Sequence, residues 1–518
     1  MASNELDRNS VIAVVGSGAM GAGIAQVAAS AGYRVRLFDS RPEAVAKAID
    51  GIGKTFGKLV EKGKMSGEHA SAARGRLEEA ATLEDMRGAA MVIEAIVENL
   101  DAKRKLFADL EGIVGDDCIL ATNTSSISVT SIAAQLRRPE RVVGMHFFNP
   151  VPLMALVEVI SGLATTKDVA ETVYLTALAM GKSPVHAKST PGFIVNRVAR
   201  PYYAEALRLL SEQAADAPTI DAIMRESAGF RMGPFELMDL IGHDVNYSVT
   251  QSVHNAYYGD PRFTPSVVQL EMVNAGYLGR KTGRGFYDYS EGAAAPLVAQ
   301  EDPEPRPESV SVSQEPGSTS VVAPMEQRLV AHGYRIPHRK PLPHAGEDEA
   351  AAFHTSGAAV FLTDGRTATE RAAANKHPDT VLYDLVLDAA GAKRVVLARA
   401  DQCSYSAYRA VVGLFQAAGF TVTRIDDVPG MVAMRTVAML ANEAADAVNQ
   451  GVCDAAAVDT AMQKGVNYPK GPLEWADQVG LAHIVTVLDN MARAYGEDRY
   501  RVSPLLRRKR AAGAKFHA

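Results

Sequence analysis

The sequence predicts four folded parts: a parallel α/β domain, an all-helical domain, a reduced α/β domain and a second, degenerate copy of the helical domain. Three features predict this order. Short apolar runs alternate with amphipathic stretches through the first third, as parallel strands joined by crossover helices require. A proline-rich, acidic break follows residue 290. Two blocks of the helical region recur downstream at one fixed spacing.

The strands expected in the first part are VIAVVG (11–16), YRVRLFD (33–39), MVIEAI (91–96), CILATN (118–123) and VVGMHFF (142–148). Ala-rich amphipathic stretches at 19–31, 43–62 and 101–113 supply helices between them. LVEVI (156–160) and SPVHAKS (183–189) extend the sheet to residue 190. Residues 191–290 read as helical. From 291 to 325 the chain holds six prolines (296, 303, 305, 307, 316 and 324) among small and acidic residues, the composition of a linker. Such a segment is compatible with either rigid docking or loose tethering. Strands at 358–364, 380–388, 393–399 and 420–426, with a helix at 407–419, make residues 326–428 a small α/β domain without a glycine-rich loop. Residues 429–518 repeat the helical domain. PGFIVNR (191–197) returns as PGMVAMR (429–435) and GPFELMD (233–239) as GPLEWAD (471–477), both 238 positions on. Glu205 recurs as Glu443 and Asp221 as Asp459 at the same offset.

The 518 residues are 47% hydrophobic and 22% charged with net charge −6, so there is no general basic field for nucleic acid or an anionic membrane. The RRKR run at 507–510 reads as a solvated chain end. No apolar run reaches the ~20 residues of a membrane span, and the N-terminus has no signal-like core. Three cysteines, Cys118, Cys403 and Cys453, have no metal-ligand spacing and suit free thiols in a reducing cytoplasm. No metal is expected.

GSGAMG at 16–21 follows an apolar strand and opens a helix, the context in which a glycine-rich turn binds a dinucleotide in a Rossmann-type fold. Gly16 makes the turn, Gly18 admits the pyrophosphate and Gly21 packs helix on strand, with Ser17, Ala19 and Met20 completing the loop. The helix N-terminus then faces the phosphates. Asp39, at the end of the second strand, suits the ribose hydroxyls and favours NAD over NADP. Arg41 beside it pulls mildly the other way.

MHFFNPVPLMALVEVI (145–160) places a histidine and a glutamate on two candidate strands, and a turn at 149–152 would lay His146 beside Glu158. The carboxylate would fix the imidazole's tautomer and stabilise its protonated form, so that His146 could take the proton of an alcohol. Taken alone, such a pair is more often an ordinary buried polar pair than a catalytic one.

GSGAMG, VIEAIVENLDAKRKLF, ATNTSSISVTSIA, HFFNPVPLMALVEVI and PGFIVNR occur in series, and over residues 8–290 the chain closely resembles the 3-hydroxyacyl-CoA dehydrogenase family. The resemblance implies NAD-dependent oxidation of a (3S)-3-hydroxyacyl-CoA to the 3-oxoacyl-CoA in a cleft between the first two domains. It makes His146 the general base and Glu158 its orienting partner. Asn196 would hydrogen-bond the reacting oxygen, and Ser125 would touch substrate near the nicotinamide. Glu98, Lys103 and Asn149 would line the cofactor, and Thr55 and Lys62 would contact CoA. One departure is Ala155, where the family commonly has lysine; it leaves the His–Glu pair intact and alters charge near the acyl-CoA mouth.

In the second helical copy Asn196 becomes Met434, which cannot hydrogen-bond an oxyanion, so one active site is expected. Long family members with a reduced Rossmann-like insert occur among bacterial enzymes of phenylacetate breakdown acting on 3-hydroxyadipyl-CoA. A 3-hydroxybutyryl-CoA dehydrogenase is the alternative, and a non-catalytic dinucleotide-binding protein the distant one. The duplicated helical domain implies an intrachain pseudo-dimer or a homo-oligomer. Arg197, Arg200 and Arg231 are the candidates to hold a far carboxylate, against their ordinary use in structural ion pairs.

Overall fold

A computed structural model describes residues 5–41, 43–313, 322–339 and 352–517. Its fifteen strands are β1 (Val11–Val15), β2 (Arg34–Phe38), β3 (Leu77–Glu79), β4 (Met91–Glu94), β5 (Ile119–Thr122), β6 (Val142–Phe147), β7 (Leu156–Ser161), β8 (Ser183–Lys188), β9 (Ser311–Ser313), β10 (His338–Arg339), β11 (Ala352–Thr355), β12 (Ala358–Leu362), β13 (Thr380–Tyr383), β14 (Arg394–Arg399) and β15 (Thr421–Arg424). Two compact units result: Met1–Arg197 with Gln450–Asn467, and Val198–Asn449 with Tyr468–Ala518.

In the first unit eight strands are ordered β3-β2-β1-β4-β5-β6-β7-β8. All neighbours are parallel except β6 and β7, which run antiparallel with His146 opposite Glu158. The apolar runs are continuous because central strands of such a sheet are buried on both faces. Ile12, Val14, Met145, Phe147, Val157 and Val159 pack with Ile24, Ala25 and Ala28 of the Ala19–Ser30 helix in one core. The expectation from sequence misses β3, a three-residue edge strand reading LEE, too short and polar for a periodicity to register.

The second helical copy does not stay whole. Its Ala455–Gly465 helix belongs to the first unit and packs on β7 and β8. The Lys188 N–H donates to the Val452 carbonyl (2.9 Å), and Arg197 donates to Gln450 Oε1 (2.9 Å). A Cβ on Gly465 would stand 2.5 Å from the Leu156 side chain and 3.1 Å from that of Val195. A larger residue there would push the Leu156 side chain aside.

The second unit repeats the arrangement. Its sheet is ordered β10-β9-β11-β12-β13-β14-β15, with β12–β13 parallel, β13–β14 antiparallel and β14–β15 parallel. The 238-residue offset that relates the helical copies also carries β5 to β12, β6 to β13, β7 to β14 and β8 to β15 without a gap. The reduced domain is therefore a copy of the second half of the first sheet, and among the described residues it has no counterparts of β1 to β4, where the glycine loop and Asp39 stand. β9, β10 and β11 extend it instead, with β11 antiparallel to β12.

The Ala217–Glu226 helix of the first helical copy packs on β14, as its counterpart packs on β7. The Asp426 N–H donates to the Ala214 carbonyl (3.0 Å), the offset partner of the Lys188–Val452 bond. Ser227 Oγ donates to the Arg394 carbonyl (2.9 Å) and Arg394 Nε to Glu226 (2.9 Å). Each helical copy thus lays one helix on the sheet belonging to the other copy.

The proline-rich segment is docked where it is described. Ala299 N–H donates to Thr219 Oγ1, Glu301 N–H to the Val422 carbonyl and Glu304 N–H to Gln416 Oε1, while Val310 and Val312 are buried. Residues 314–321, with Pro316, lie outside the described residues.

The helices of the second unit are tied by a buried ion network. Arg435 Nε donates to Glu205 (2.6 Å), its Nη1 to Glu212 (2.9 Å) and Tyr495 (2.8 Å), and its Nη2 to Tyr500 (2.9 Å). Both Arg435 and Glu205 are buried, and removing one partner strands the other charge. Glu205→Ala should lower unfolding stability by about 3–5 kcal/mol, measured by urea denaturation; a loss under about 1 kcal/mol would mean the network is solvated or replaceable.

Candidate active site

The glycine loop sits between β1 and the helix that follows. Gly16 has φ +103°, and a Cβ there would meet the Ala95 carbonyl oxygen at 2.4 Å. A Cβ on Gly21 would overlap the Gly16 carbonyl oxygen. At Gly18 the space is open, and as helix N-cap it provides no capping side chain. The first-turn N–H groups of the Ala19–Ser30 helix are therefore bare donors, which fits a pyrophosphate.

Asp39 lies at the end of β2 with Ser17, whose N–H and Oγ both donate to Asp39 Oδ2 at 2.8 Å. Burial pushes the carboxyl up, but Arg41 and Ser17 outweigh it and hold Asp39 well below the usual carboxylate range. Arg41 is itself engaged by that carboxylate at 3.0 Å. Its charge is partly spent on Asp39, so the anionic end of β2 disfavours a second phosphate.

His146 and Glu158 meet as neighbours across the antiparallel pair, His146 Nδ1 to Glu158 Oε2 at 2.7 Å. Glu158 is 1% exposed and His146 5%. The other carboxylate oxygen, Oε1, accepts the N–H groups of Ile194 and Val195, both at 3.0 Å. One carboxylate thus orients the imidazole and anchors the start of the segment that carries Asn196. Phe148 and Phe193 flank the imidazole with ring centroids 4.5 and 6.0 Å away. Asn196 Nδ2 donates to the Ser125 carbonyl at 3.4 Å, which brings Asn196 and Ser125 together.

Ser125 rests on Glu98, whose Oε1 accepts from Thr124 Oγ1 (2.6 Å) and from the N–H groups of Ser125 and Ser126. Burial raises the Glu98 carboxyl, and Thr124 and Lys103 outweigh it to leave it lowered. Lys103 is 1% exposed, with Nζ 2.6 Å from Glu94 and 3.2 Å from Glu98. It therefore stands behind Glu98 and holds it in place from within the protein. Asn149 is exposed on the β6–β7 connection, and Thr55 and Lys62 are exposed on and just after the Ala44–Glu61 helix, seven residues apart.

Sequence reasoning passed over two residues here. Glu94 is fully buried and accepts from Lys103, Thr122 Oγ1 (2.6 Å) and the Ile96 N–H. Asn123 Oδ1 accepts the Phe147 N–H (2.8 Å), steadying the strand that carries His146. A glutamate inside the apolar run MVIEAI was the signal available for Glu94. Among the described residues no group of three or more His, Cys, Asp or Glu could hold a metal ion.

The offset counterpart of His146 is Asp384, of Glu158 Val396 and of Asn196 Met434. Asp384 Oδ2 accepts the N–H groups of Val432 and Ala433, and Oδ1 those of Met434 and Leu385. Burial pushes its carboxyl up to about 6 against the pull of those backbone donors. The helix-anchoring carboxylate is kept here just past the end of β13, the counterpart of the strand that carries His146, and the imidazole is gone.

Comparison with known proteins agrees with this division. The family model for the 3-hydroxyacyl-CoA dehydrogenase NAD binding domain matches residues 11–190, and that for the C-terminal domain matches twice, at 192–289 and 430–516. A third, the 3-hydroxybutyryl-CoA dehydrogenase reduced Rossmann-fold domain, matches 360–429. The chain is 44% identical to the 3-hydroxyadipyl-CoA dehydrogenase of Escherichia coli K12, over 96% of this chain and 97% of that one. It is also 44% identical to a probable 3-hydroxybutyryl-CoA dehydrogenase of Bacillus subtilis, over 54% of this chain and 97% of that protein. A crystal structure of 3-hydroxybutyryl-CoA dehydrogenase from Escherichia coli K12 superposes with TM-score 0.87 at 42% identity, covering 98% of this chain and 99% of that one. With a glycine loop fit for a dinucleotide, a buried histidine–carboxylate pair and all four parts matched, the chain is an NAD-dependent oxidoreductase that belongs to the 3-hydroxyacyl-CoA dehydrogenase family.

Proposed function

We propose that the chain oxidises a dicarboxylic 3-hydroxyacyl-CoA, 3-hydroxyadipyl-CoA in aromatic-acid breakdown, through His146 and Glu158. The reaction class rests above all on the 2.7 Å contact between His146 and a buried carboxylate whose second oxygen is filled by backbone donors. Held that way, Glu158 has no freedom to swing aside, and it fixes the Nδ1 proton so that Nε2 is the basic nitrogen. His146 takes the 3-hydroxyl proton as the carbonyl forms, and Glu158 stabilises the imidazolium. The Asn196 amide and Ser125 steady the oxygen. Bound NAD supplies the hydride acceptor, held by the Gly16–Gly21 loop and Asp39, with Glu98 and Asn149 lining its nicotinamide side.

The dicarboxylic substrate is favoured by the relative named for it, which matches this chain over nearly its whole length. The shorter relative, named for the butyryl substrate, matches half of it. Thr55 and Lys62, exposed on and just after the Ala44–Glu61 helix, are assigned to CoA. The two sheets, each covered by a helix from the other copy, favour an intrachain pseudo-dimer. Three free thiols suit a reducing cytoplasm.

NADH formation should follow 3-hydroxyadipyl-CoA with a higher kcat/KM than 3-hydroxybutyryl-CoA, and NADP should replace NAD poorly. A preference for the butyryl substrate would assign the enzyme to short-chain metabolism instead. His146→Gln should lower kcat by about 10²–10⁴-fold while NAD still binds in a fluorescence titration; near-normal turnover would sink the assignment. Asp39→Ala should raise KM for NAD and narrow its advantage over NADP, and an unchanged cofactor ratio would remove Asp39 from the ribose site.

A further inference from the structure

Among the three candidate arginines, Arg197 bonds Gln450 and Arg231 is exposed. Arg200 differs from both. It is 5% exposed within the second unit, and among the described residues its one hydrogen bond is from Nη1 to Thr250 Oγ1 at 3.0 Å. The guanidinium lies 4.9 Å from the Tyr203 ring, and Nε is buried with no partner among the described residues. Arginines this deeply buried are ordinarily paired with a carboxylate, because an unpaired buried charge is costly.

Arg200 lines a cavity of about 240 Å³, large enough for a carboxylate and a few methylenes. Arg208 and Arg499 also line it, and both of these have Glu497 as a partner. Ser266 and Val267 contribute the start of the Val267–Asn274 helix, which has no side-chain cap. A cation and a bare helix N-terminus therefore line one half-open cavity, and the cation keeps a buried N–H without a partner among the described residues.

The second helical copy shows how the same space looks when closed. Ala204 becomes Asn442, whose amide donates to the Arg501 carbonyl (2.9 Å) and accepts the Ser503 N–H (2.8 Å). Arg208 becomes Asp446, which pairs with Arg262. Arg200 becomes Ala438 and Thr250 becomes Leu488, both fully buried. The copy without catalytic residues has its pocket plugged, and the copy that follows Asn196 by four residues keeps it open and cationic.

We propose that the Arg200 cavity is a carboxylate-binding site. The carboxylate could come from two sources, the far end of a dicarboxylic 3-hydroxyacyl thioester or a free dicarboxylate. Only the first source rests on the function proposed above.

The test uses the full chain and two variants, Arg200→Met, which removes the cation, and Ala204→Asn, which installs the natural plug of the other copy. Circular dichroism checks that each is folded. Adipate is titrated calorimetrically, and kcat/KM is measured for 3-hydroxyadipyl-CoA and 3-hydroxybutyryl-CoA. The proposal expects both variants to weaken adipate binding, or to lower the adipyl-to-butyryl ratio of kcat/KM, by about tenfold or more. A fall in the ratio identifies the substrate's own carboxylate. Lost adipate binding with the ratio intact identifies a free dicarboxylate. If neither quantity changes in either folded variant, the cavity is not a carboxylate site. Should the wild type turn over neither thioester, the proposed function fails, and the adipate titration alone then decides the cavity.

Discussion

The Glu158 carboxylate is the interaction on which the rest depends. A buried anion is tolerated only when its oxygens are filled, and here one oxygen faces His146 while the other closes on the N–H groups of Ile194 and Val195. The same group that sets the imidazole's proton also fixes where the chain leaves the sheet and starts toward Asn196. Chemistry and chain path are thus coupled through one side chain. The reduced half shows the coupling from the other side: the need for an anion beneath a buried helix start is met by Asp384, one strand over, and the histidine is dispensed with.

Duplication explains the architecture beyond that point. The 238-residue offset runs from β5 to the end of the helical domain, so what was copied includes half a sheet as well as the helices. The copied half-sheet cannot carry the dinucleotide loop, because that loop belongs to β1 and its helix. Its surviving use is to be covered by the Ala217–Glu226 helix, while the Ala455–Gly465 helix covers β7 and β8 behind Glu158. The divergence between copies at Arg200 and Ala204 then separates an open cationic cavity from a plugged one.

Much of this was legible locally. The glycine spacing, the apolar strands and the His146–Glu158 juxtaposition depend on residues within about a dozen positions of one another, and short-range turn chemistry decides them. Lys103 was legible as important but not as buried, since its burial follows from Glu94 and Glu98 closing over it. The proline-rich segment read as a linker, yet Glu301 and Glu304 dock it on β15 and on the Tyr405–Ala417 helix, using backbone bonds that composition does not encode.

By itself the sequence determined the fold class, the duplication, the dinucleotide loop and the family, because each is written in a repeated or closely spaced pattern. Only the tertiary structure decided that residues 450–467 join the first unit, that the reduced sheet is an offset copy of β5 to β8, and that Arg200 has no carboxylate partner among the described residues. Those outcomes depend on which surfaces meet across more than two hundred residues of chain. Whether a charge is paired is a property of that meeting, and no local spacing records it.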